Sequence, residues 1–479
     1  MIESSDGNCF IVTDTKWLPT LSQEGPRYRA LADEIARAVE DGALNAGEKL
    51  PPVRDLAWDL KVTPGTVARA YQLAEQRGLL EGQVGRGTFV CGPEATGPMA
   101  SPVSLGPSPE GMIDFRLNRA IDIGQNVTIT AALERLIAAR GPLPLTDYHR
   151  FGEDMAERAA GAEWLRTGGL PAEAEDVLVC SGAQHGMLTA LAASAGSTDA
   201  VVLTETLIHP GLKDCARALG IRLEPVACDE DGLIPDAIEA ACARFRPGAI
   251  ILSANNQNPM LCTLPLARRE AIAEIARRRR VAIIEDDVYG WLAADRLPSF
   301  PSFAPELTWY VASLSKCVAA GLRAGYVLCP PGEAPRAARI LQSHTQHVSW
   351  LISALAAELI RSGDARRISD AVRIETDARA QILRETLDAP AGSLRTSPGS
   401  SVGWLTLPEP WRASDFVSLA EGVKVLITPA EVFAVGRAPA PHAVRIAFGN
   451  APSVSEIEAG AAILRDLLRR DPTPVDAVA

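Results

Sequence analysis

The stretch Ser313-Leu314-Ser315-Lys316, followed by Arg323 and Gly325-Tyr326, sets one lysine where an apolar run ends. A partly buried ammonium is costly, so burial lowers its pKa and leaves a neutral amine able to form a Schiff base with an aldehyde or ketone. The hydroxyls of Ser313 and Ser315 and the guanidinium of Arg323 suit a phosphate, so the carbonyl compound should also carry a phosphate ester. The plain alternative is an exposed loop lysine, and only partners supplied by the rest of the chain displace it.

Those partners must be positioned by other elements. Val177-Leu178-Val179-Cys180, Val201-Val202-Leu203, Ile250-Ile251-Leu252, Val281-Ala282-Ile283-Ile284, Tyr310-Val311-Ala312 and Tyr326-Val327-Leu328 read as buried strands, with helices such as 267–279 between them. The alternation predicts a mostly parallel sheet covered on both faces, with ligands at the carboxyl ends of its strands. Ser181-Gly182-Ala183-Gln184 follows the first strand and opens a helix whose N–H groups can hold a phosphate. Asp286-Asp287-Val288-Tyr289 sets a carboxylate and a phenol at another strand's end.

A phosphorylated aldehyde held by a lysine describes pyridoxal phosphate. Ser313, Ser315-Lys316, Arg323 and Gly325-Tyr326 resemble the lysine motif of fold-type I aminotransferases, which implies that fold, with a smaller C-terminal α+β part. A competing match of Ser313-x-x-Lys316 to penicillin-recognising enzymes lacks their S-D-N and K-T-G. In the aminotransferase resemblance Asp286 pairs with the pyridine nitrogen and keeps it protonated, while Tyr289 donates to the ring's phenolic oxygen. Asn258 matches the asparagine that touches the same oxygen, although Pro259-Met260-Leu261 stands where Pro-Thr-Gly is usual. His209, in His209-Pro210-Gly211, takes the place of the aromatic that stacks on the ring. Tyr148 matches a tyrosine that reaches the neighbouring subunit's cofactor phosphate, which implies a homodimer. Arg445, in His442-Ala443-Val444-Arg445-Ile446-Ala447-Phe448, matches the arginine that clamps a substrate α-carboxylate.

At 479 residues the chain predicts two or three domains, and 47% hydrophobic with 22% charged residues is ordinary for a globular protein. No apolar run reaches membrane-spanning length and the N-terminus lacks a signal-peptide layout, so a cytoplasmic location is expected. Nine cysteines without a C-x-x-C pair argue against a disulfide framework or a zinc site. His344-x-x-His347 lacks carboxylate or cysteine partners nearby, and no metal is expected. Arg277-Arg278-Arg279-Arg280 ends a helix and should face water and the helix dipole.

A net charge of −12 argues against a nucleic-acid partner for the chain as a whole, so charge must be judged by domain. Residues 26–90 carry nine basic and nine acidic side chains. Helices are predicted over 28–41, 53–60 and 64–77, the third capped by Thr63 with Pro64 at its first position. A glycine-rich hairpin tip, Gly82-Gln83-Val84-Gly85-Arg86-Gly87, follows. Helix, turn, helix and hairpin make a winged helix-turn-helix. Leu50-Pro51-Pro52-Val53-Arg54, Thr63-Pro64-Gly65-Thr66-Val67-Ala68-Arg69-Ala70-Tyr71 and Gly85-Arg86-Gly87-Thr88-Phe89-Val90 closely resemble the GntR family's DNA-binding domain. That resemblance implies that Arg54, Thr63, Thr66 and Arg69 meet phosphates or base edges of double-stranded DNA and that Arg86 enters the minor groove.

Prolines at 93, 98, 102, 107 and 109 and interspersed glycines mark residues 91–111 as an extended linker before a body at 112–470. A GntR-like head joined to an aminotransferase-like body resembles the MocR subfamily of transcriptional regulators. It implies a DNA-binding regulator that carries pyridoxal phosphate on Lys316 and senses an amino acid or amine. The alternative is a working aminotransferase with an appended DNA-binding head.

Overall fold

A computed structural model describes residues 17–19, 27–45, 47–76, 79–83, 87–90, 109–141, 143–146, 148, 152–195, 200–293, 296–436 and 440–470. Contacts divide the chain into two units, 1–102 and 103–479.

In the first unit, helices Arg27–Glu40, Val53–Asp59 and Pro64–Gln76 precede a hairpin of strands Leu80–Gln83 and Gly87–Val90. Leu31, Ile35, Leu56, Val67, Ala70 and Ala74 recur at helical spacing and close a single buried core. The Thr63 hydroxyl accepts the Thr66 amide at 3.2 Å, which is the cap that starts the third helix. Tyr71 donates its phenol to the Pro51 carbonyl at 2.7 Å and ties that helix to the start of the second. The hairpin also has a third edge that the sequence did not announce: Leu50 donates to Thr88 and Val90 to Glu48, each at 2.8 Å. Gly87 takes φ +118°, a backbone conformation that favours glycine, where the hairpin meets this edge. Arg86 and nearly all of the predicted linker lie outside the described residues.

The second unit is built on a seven-stranded sheet in the order Val177–Cys180, Gly325–Leu328, Thr308–Ser313, Ala282–Asp286, Ala249–Leu252, Val201–Glu205, Arg222–Val226. Gly325–Leu328 runs antiparallel to both neighbours and the remaining pairs are parallel. Alternation along the strands fills both faces: Ile251 and Ile284 join one core with Met187 and Leu191, whereas Ile250 and Ile283 join another with Ile238 and Ile272. The seventh strand, Arg222–Val226, escaped the sequence reading because it is an edge strand with little apolar content and a proline, which an edge tolerates.

A smaller antiparallel sheet of Leu394–Thr396, Val402–Thr406, Ala443–Ala447 and Thr428–Pro429 follows. Its Val444 and Ile446 pack with Leu383 and Leu464 of helices Asp364–Leu387 and Val454–Leu468. Arg277, Arg278 and Arg279 form ion pairs with Glu306, Glu274 and Glu239, a local use of that basic run. No described helix is long and apolar enough to cross a membrane.

Candidate functional site

Strand ends carry the chemistry. Ser313 closes Thr308–Ser313, Asp286 closes Ala282–Asp286, Ser253 follows Ala249–Leu252, and Gly182 follows Val177–Cys180 as the residue before helix Ala183–Ser194. One cavity at these ends is lined by Ala183, Gln184, His209, Asn258, Asp286, Tyr289, Ser313, Ser315, Lys316 and Arg323, all singled out from the sequence. Cys215, Met187 and Val288 complete much of its wall.

Lys316 Nζ donates to the Asn118 carbonyl at 2.6 Å. Burial, with the charges of Arg445 and Arg323, lowers its pKa to about 8, and Asp286 opposes the shift. Burial and the adjacent Asp287 carboxylate push Asp286 up to about 7. Its buried Oδ1 has no hydrogen-bond partner. The neighbouring Asp287 is turned the other way, as strand alternation requires, and accepts from Arg296 at 2.6 Å, Asn255 at 3.1 Å and the Tyr310 hydroxyl. Of two adjacent aspartates, one is tied to three side chains and the other lines the cavity with one buried oxygen left without a partner, its only backbone support coming from Val288.

Gly182 borders the cavity rather than lining it. At φ +79° and ψ 173° its backbone suits glycine alone, and a Cβ there would stand 2.7 Å from Arg323 Nη2. The glycine thus lets a guanidinium sit against the N-terminus of helix Ala183–Ser194, two sources of positive potential at one point. Ser313 Oγ lies 3.0 Å from both the Ala324 carbonyl and Ser315 Oγ and accepts the Ser315 amide at 3.1 Å. With its single proton directed to the carbonyl, Ser313 fixes the turn and Ser315 keeps a hydroxyl for the cavity.

The Tyr289 phenol accepts from Asn118 Nδ2 at 2.9 Å, and burial pushes its pKa up to about 12. His209 Nδ1 accepts the Gly211 amide at 3.1 Å, so the ring is neutral there. Its ring opens toward the cavity, yet surrounding protein and the charges of Lys316, Arg445 and Lys213 hold its pKa well below the usual histidine range. Asn258 precedes a cis peptide to Pro259. The unusual Met260-Leu261 is held by Gln257, whose Oε1 accepts the Met260 amide at 2.8 Å and whose Nε2 donates to the Leu207 carbonyl at 2.6 Å.

Arg445 lies within the fully buried strand Ala443–Ala447, on the side opposite Val444 and Ile446. It is 2% exposed, stacks over Phe433 at 4.7 Å, and donates to Asn258 Oδ1 at 3.2 Å and to the Arg116 carbonyl at 2.5 Å. No carboxylate pairs with it among the described residues, its Nε has no partner, and burial lowers its pKa to about 10. Tyr148 stands apart, 82% exposed, with an edge contact to His347. In the first unit Arg54 is exposed on the second helix, Thr63 and Arg69 are exposed at the third, and Thr66 is half-buried with its hydroxyl 2.9 Å from that of Thr63.

Three residues near the cavity had no signal in the sequence. Asn118 is buried and also accepts from the Ser401 hydroxyl at 2.7 Å. Glu205 is buried and raised to about 7 by that burial. Lys213 donates to the carbonyls of Val432 at 2.7 Å and Ala434 at 3.0 Å. Glu205 lies just past the strand expected at Val201-Val202-Leu203, Lys213 lies in helix Pro210–Ala218, which the sequence reading did not name, and none of the three belongs to a motif.

Comparison with known proteins agrees with this division. Residues 112–464 match the family Aminotransferase class I and II, and residues 27–90 match Bacterial regulatory proteins, gntR family. The uncharacterized HTH-type transcriptional regulator YdeF of Bacillus subtilis (strain 168) is 28% identical over 96% of this chain and 98% of its own length. The vitamin B6 salvage pathway transcriptional repressor PtsJ of Salmonella typhimurium is 27% identical over 93% of this chain and all (100%) of its own. Among solved structures, the α-aminoadipate aminotransferase LysN of Thermus thermophilus, complexed with N-(5'-phosphopyridoxyl)-L-leucine, superposes with a TM-score of 0.67. It is 24% identical and covers 75% of this chain and 92% of its own, a likeness of fold. The chain belongs to the aminotransferase class I and II family and joins that body to a gntR-family head, the make-up of the MocR subfamily of transcriptional regulators.

Proposed function

We propose that the protein is a cytoplasmic transcriptional regulator that binds double-stranded DNA through its head, holds pyridoxal 5'-phosphate on Lys316, and responds to an amino compound. One observation carries the reading: a single cavity joins a lysine of lowered pKa, an aspartate with an orphaned buried oxygen, and a glycine cradle that brings Arg323 to a helix N-terminus. These groups fit the amine-reactive carbon, the ring nitrogen and the phosphate of one molecule. A phosphate accounts for Arg323 at the helix N-terminus, and a protonated pyridine accounts for Asp286.

Lys316 would hold the cofactor covalently, and Asp286 would keep the ring nitrogen protonated. Tyr289 and Asn258 would orient the ring, His209 would cover one face, and Gly182, Ala183, Gln184, Ser315 and Arg323 would bind the phosphate, with Ser313 holding the turn that presents Ser315. Bound there, the cofactor supplies an electrophilic carbon and an electron-withdrawing ring. Arg445, a buried cation lacking a carboxylate, would orient an effector's carboxylate. Tyr148, with Val127 and Leu145 also exposed nearby in sequence, would meet a second copy of the chain in a homodimer. In the head, Arg54, Thr63, Thr66, Arg69 and Arg86 would contact DNA. PtsJ is a repressor by name, in keeping with this reading.

An active aminotransferase with an appended head is the second reading, favoured by the completeness of the cavity and by a 28% identical 2-aminoadipate transaminase of Thermus thermophilus. The two are separated by measuring DNA affinity of cofactor-loaded protein with and without amino acids, alongside turnover with keto acids. A change in DNA affinity with at most slow turnover supports the regulator. Rapid multiple turnover with DNA binding unaffected supports the enzyme.

A further inference from the structure

Asn118 is held on three sides. Its side-chain oxygen accepts from Ser401 at 2.7 Å, its side-chain nitrogen donates to Tyr289 at 2.9 Å, and its backbone carbonyl accepts from Lys316 Nζ at 2.6 Å. Two residues earlier the Arg116 carbonyl accepts from Arg445, and strand Ile113–Asp114 pairs with Val425–Leu426. The side-chain anchors fix the direction in which the Asn118 carbonyl points, and that direction is toward a free lysine amine.

We propose that Asn118 is a positioning residue that receives the ε-amine of Lys316 whenever that amine is not covalently engaged. This rests on Lys316 being the cofactor's attachment point. When an effector amine takes over the cofactor carbon, the carbon–nitrogen bond to Lys316 breaks and a bond to the effector nitrogen forms. Lys316 leaves as a neutral amine, its nitrogen taking the hydrogens that the effector's amino group gives up, and it then binds one further proton from solvent to become the ammonium. A carbonyl acceptor at 2.6 Å favours the protonated amine and so favours its release. The charged groups acting on Lys316 are Arg445 and Arg323, which disfavour the ammonium, and Asp286, which favours it; His209 lies close enough to feel Lys316 itself. Asn118 therefore adds a neutral acceptor to a predominantly cationic setting. The segment that holds it is the beginning of the body, joined through 91–111 to the head, so the state of Lys316 is registered on the stretch nearest the linker in sequence.

The test uses full-length protein stripped of cofactor and the pH dependence of pyridoxal phosphate attachment, followed by absorbance. Attachment requires the neutral amine, so its rate falls on the acid side of the Lys316 pKa. In Asn118→Ala the backbone carbonyl remains but both side-chain anchors, on Tyr289 and Ser401, are lost; the carbonyl is free to turn from the amine, and the acid limb should move down by up to about one pH unit, a tenfold gain in free amine at a given acid pH. Ser401→Ala, which removes one anchor and leaves Asn118 in place, should move it the same way by less. A purely structural role would slow attachment at every pH without moving the limb, and that result in both variants would overturn the proposal. If wild-type protein takes up no cofactor on Lys316, the function proposed above fails and this inference with it. If wild type attaches cofactor normally and the limbs coincide, this inference alone fails.

Discussion

Replacing Asp286 with asparagine keeps the side chain's shape and removes its charge, and the site predicts two effects of opposite sign. Asp286 has its pKa raised from 3.8 to about 7, chiefly by burial and then by Asp287. An unfolded chain gives up this proton near 3.8 and the folded chain only near 7, so folding stability falls as pH rises between those values and is level above them. At about 1.36 kcal/mol per unit, the ionised carboxylate costs the cofactor-free fold at most about 4 kcal/mol at pH 8 and about 1.6 kcal/mol at pH 5. The effective dielectric of a protein interior is higher than that of a dry medium, so Asp286→Asn should stabilise the cofactor-free protein by about 2 kcal/mol at pH 8 and by under about 1 kcal/mol at pH 5. The same substitution should weaken pyridoxal phosphate binding by on the order of 2–5 kcal/mol, because the pyridinium loses its counter-charge. Urea unfolding at both pH values, with cofactor titration at pH 8, reads both effects. A variant destabilised equally at the two pH values, or one that binds cofactor as wild type does, would refute the assignment of Asp286 as an uncompensated charge awaiting a cation.

Other expectations follow from single contacts. Gly182→Ala should force both the backbone and Arg323 to move, costing on the order of 1–3 kcal/mol and weakening pyridoxal phosphate more than unphosphorylated pyridoxal in parallel titrations. Arg445→Ala should remove most of the response of DNA affinity to a carboxylate-bearing effector, a loss on the order of 2–5 kcal/mol in effector binding, while DNA affinity without effector stays unchanged. Arg54→Ala and Arg69→Ala should each weaken binding to operator DNA and, where the contact is to a phosphate, reduce the salt slope by about 1. Thr63→Ala should lower the head's stability by about 1 kcal/mol through loss of the cap at the third helix, seen as a lower melting temperature.

The fold was legible where the chain obeys short-range rules. Six buried strands announced themselves as apolar runs, and their carboxyl ends led to Ser181, Asp286 and Ser313. Arg222–Val226 did not, because an edge strand need not be apolar. The cavity was largely legible as well, since Lys316, Arg323, Asp286, Tyr289 and Asn258 sit in motifs. Asn118 was not, because its importance comes from contacts with Tyr289, Lys316 and Ser401, 171, 198 and 283 residues away along the chain. The division of labour between Asp286 and Asp287 is likewise tertiary: strand alternation sends one to the cavity and the other to Arg296 and Tyr310. The third edge of the hairpin joins 47–50 to Thr88 and Val90 far along the chain, a pairing that no local pattern specifies.

The central claim, that Lys316 carries the cofactor in this body, has a direct measurement. Full-length protein incubated with pyridoxal phosphate is reduced with borohydride and peptide-mapped by mass spectrometry. The chain has six lysines, so every candidate is resolved. Lys213 is the informative competitor because burial also lowers its pKa to about 8, but its amine is already committed to two carbonyls. The phosphopyridoxyl mass is predicted on Lys316 alone and absent from Lys316→Ala. A stoichiometric adduct on Lys213, or one retained in Lys316→Ala, would contradict the assignment.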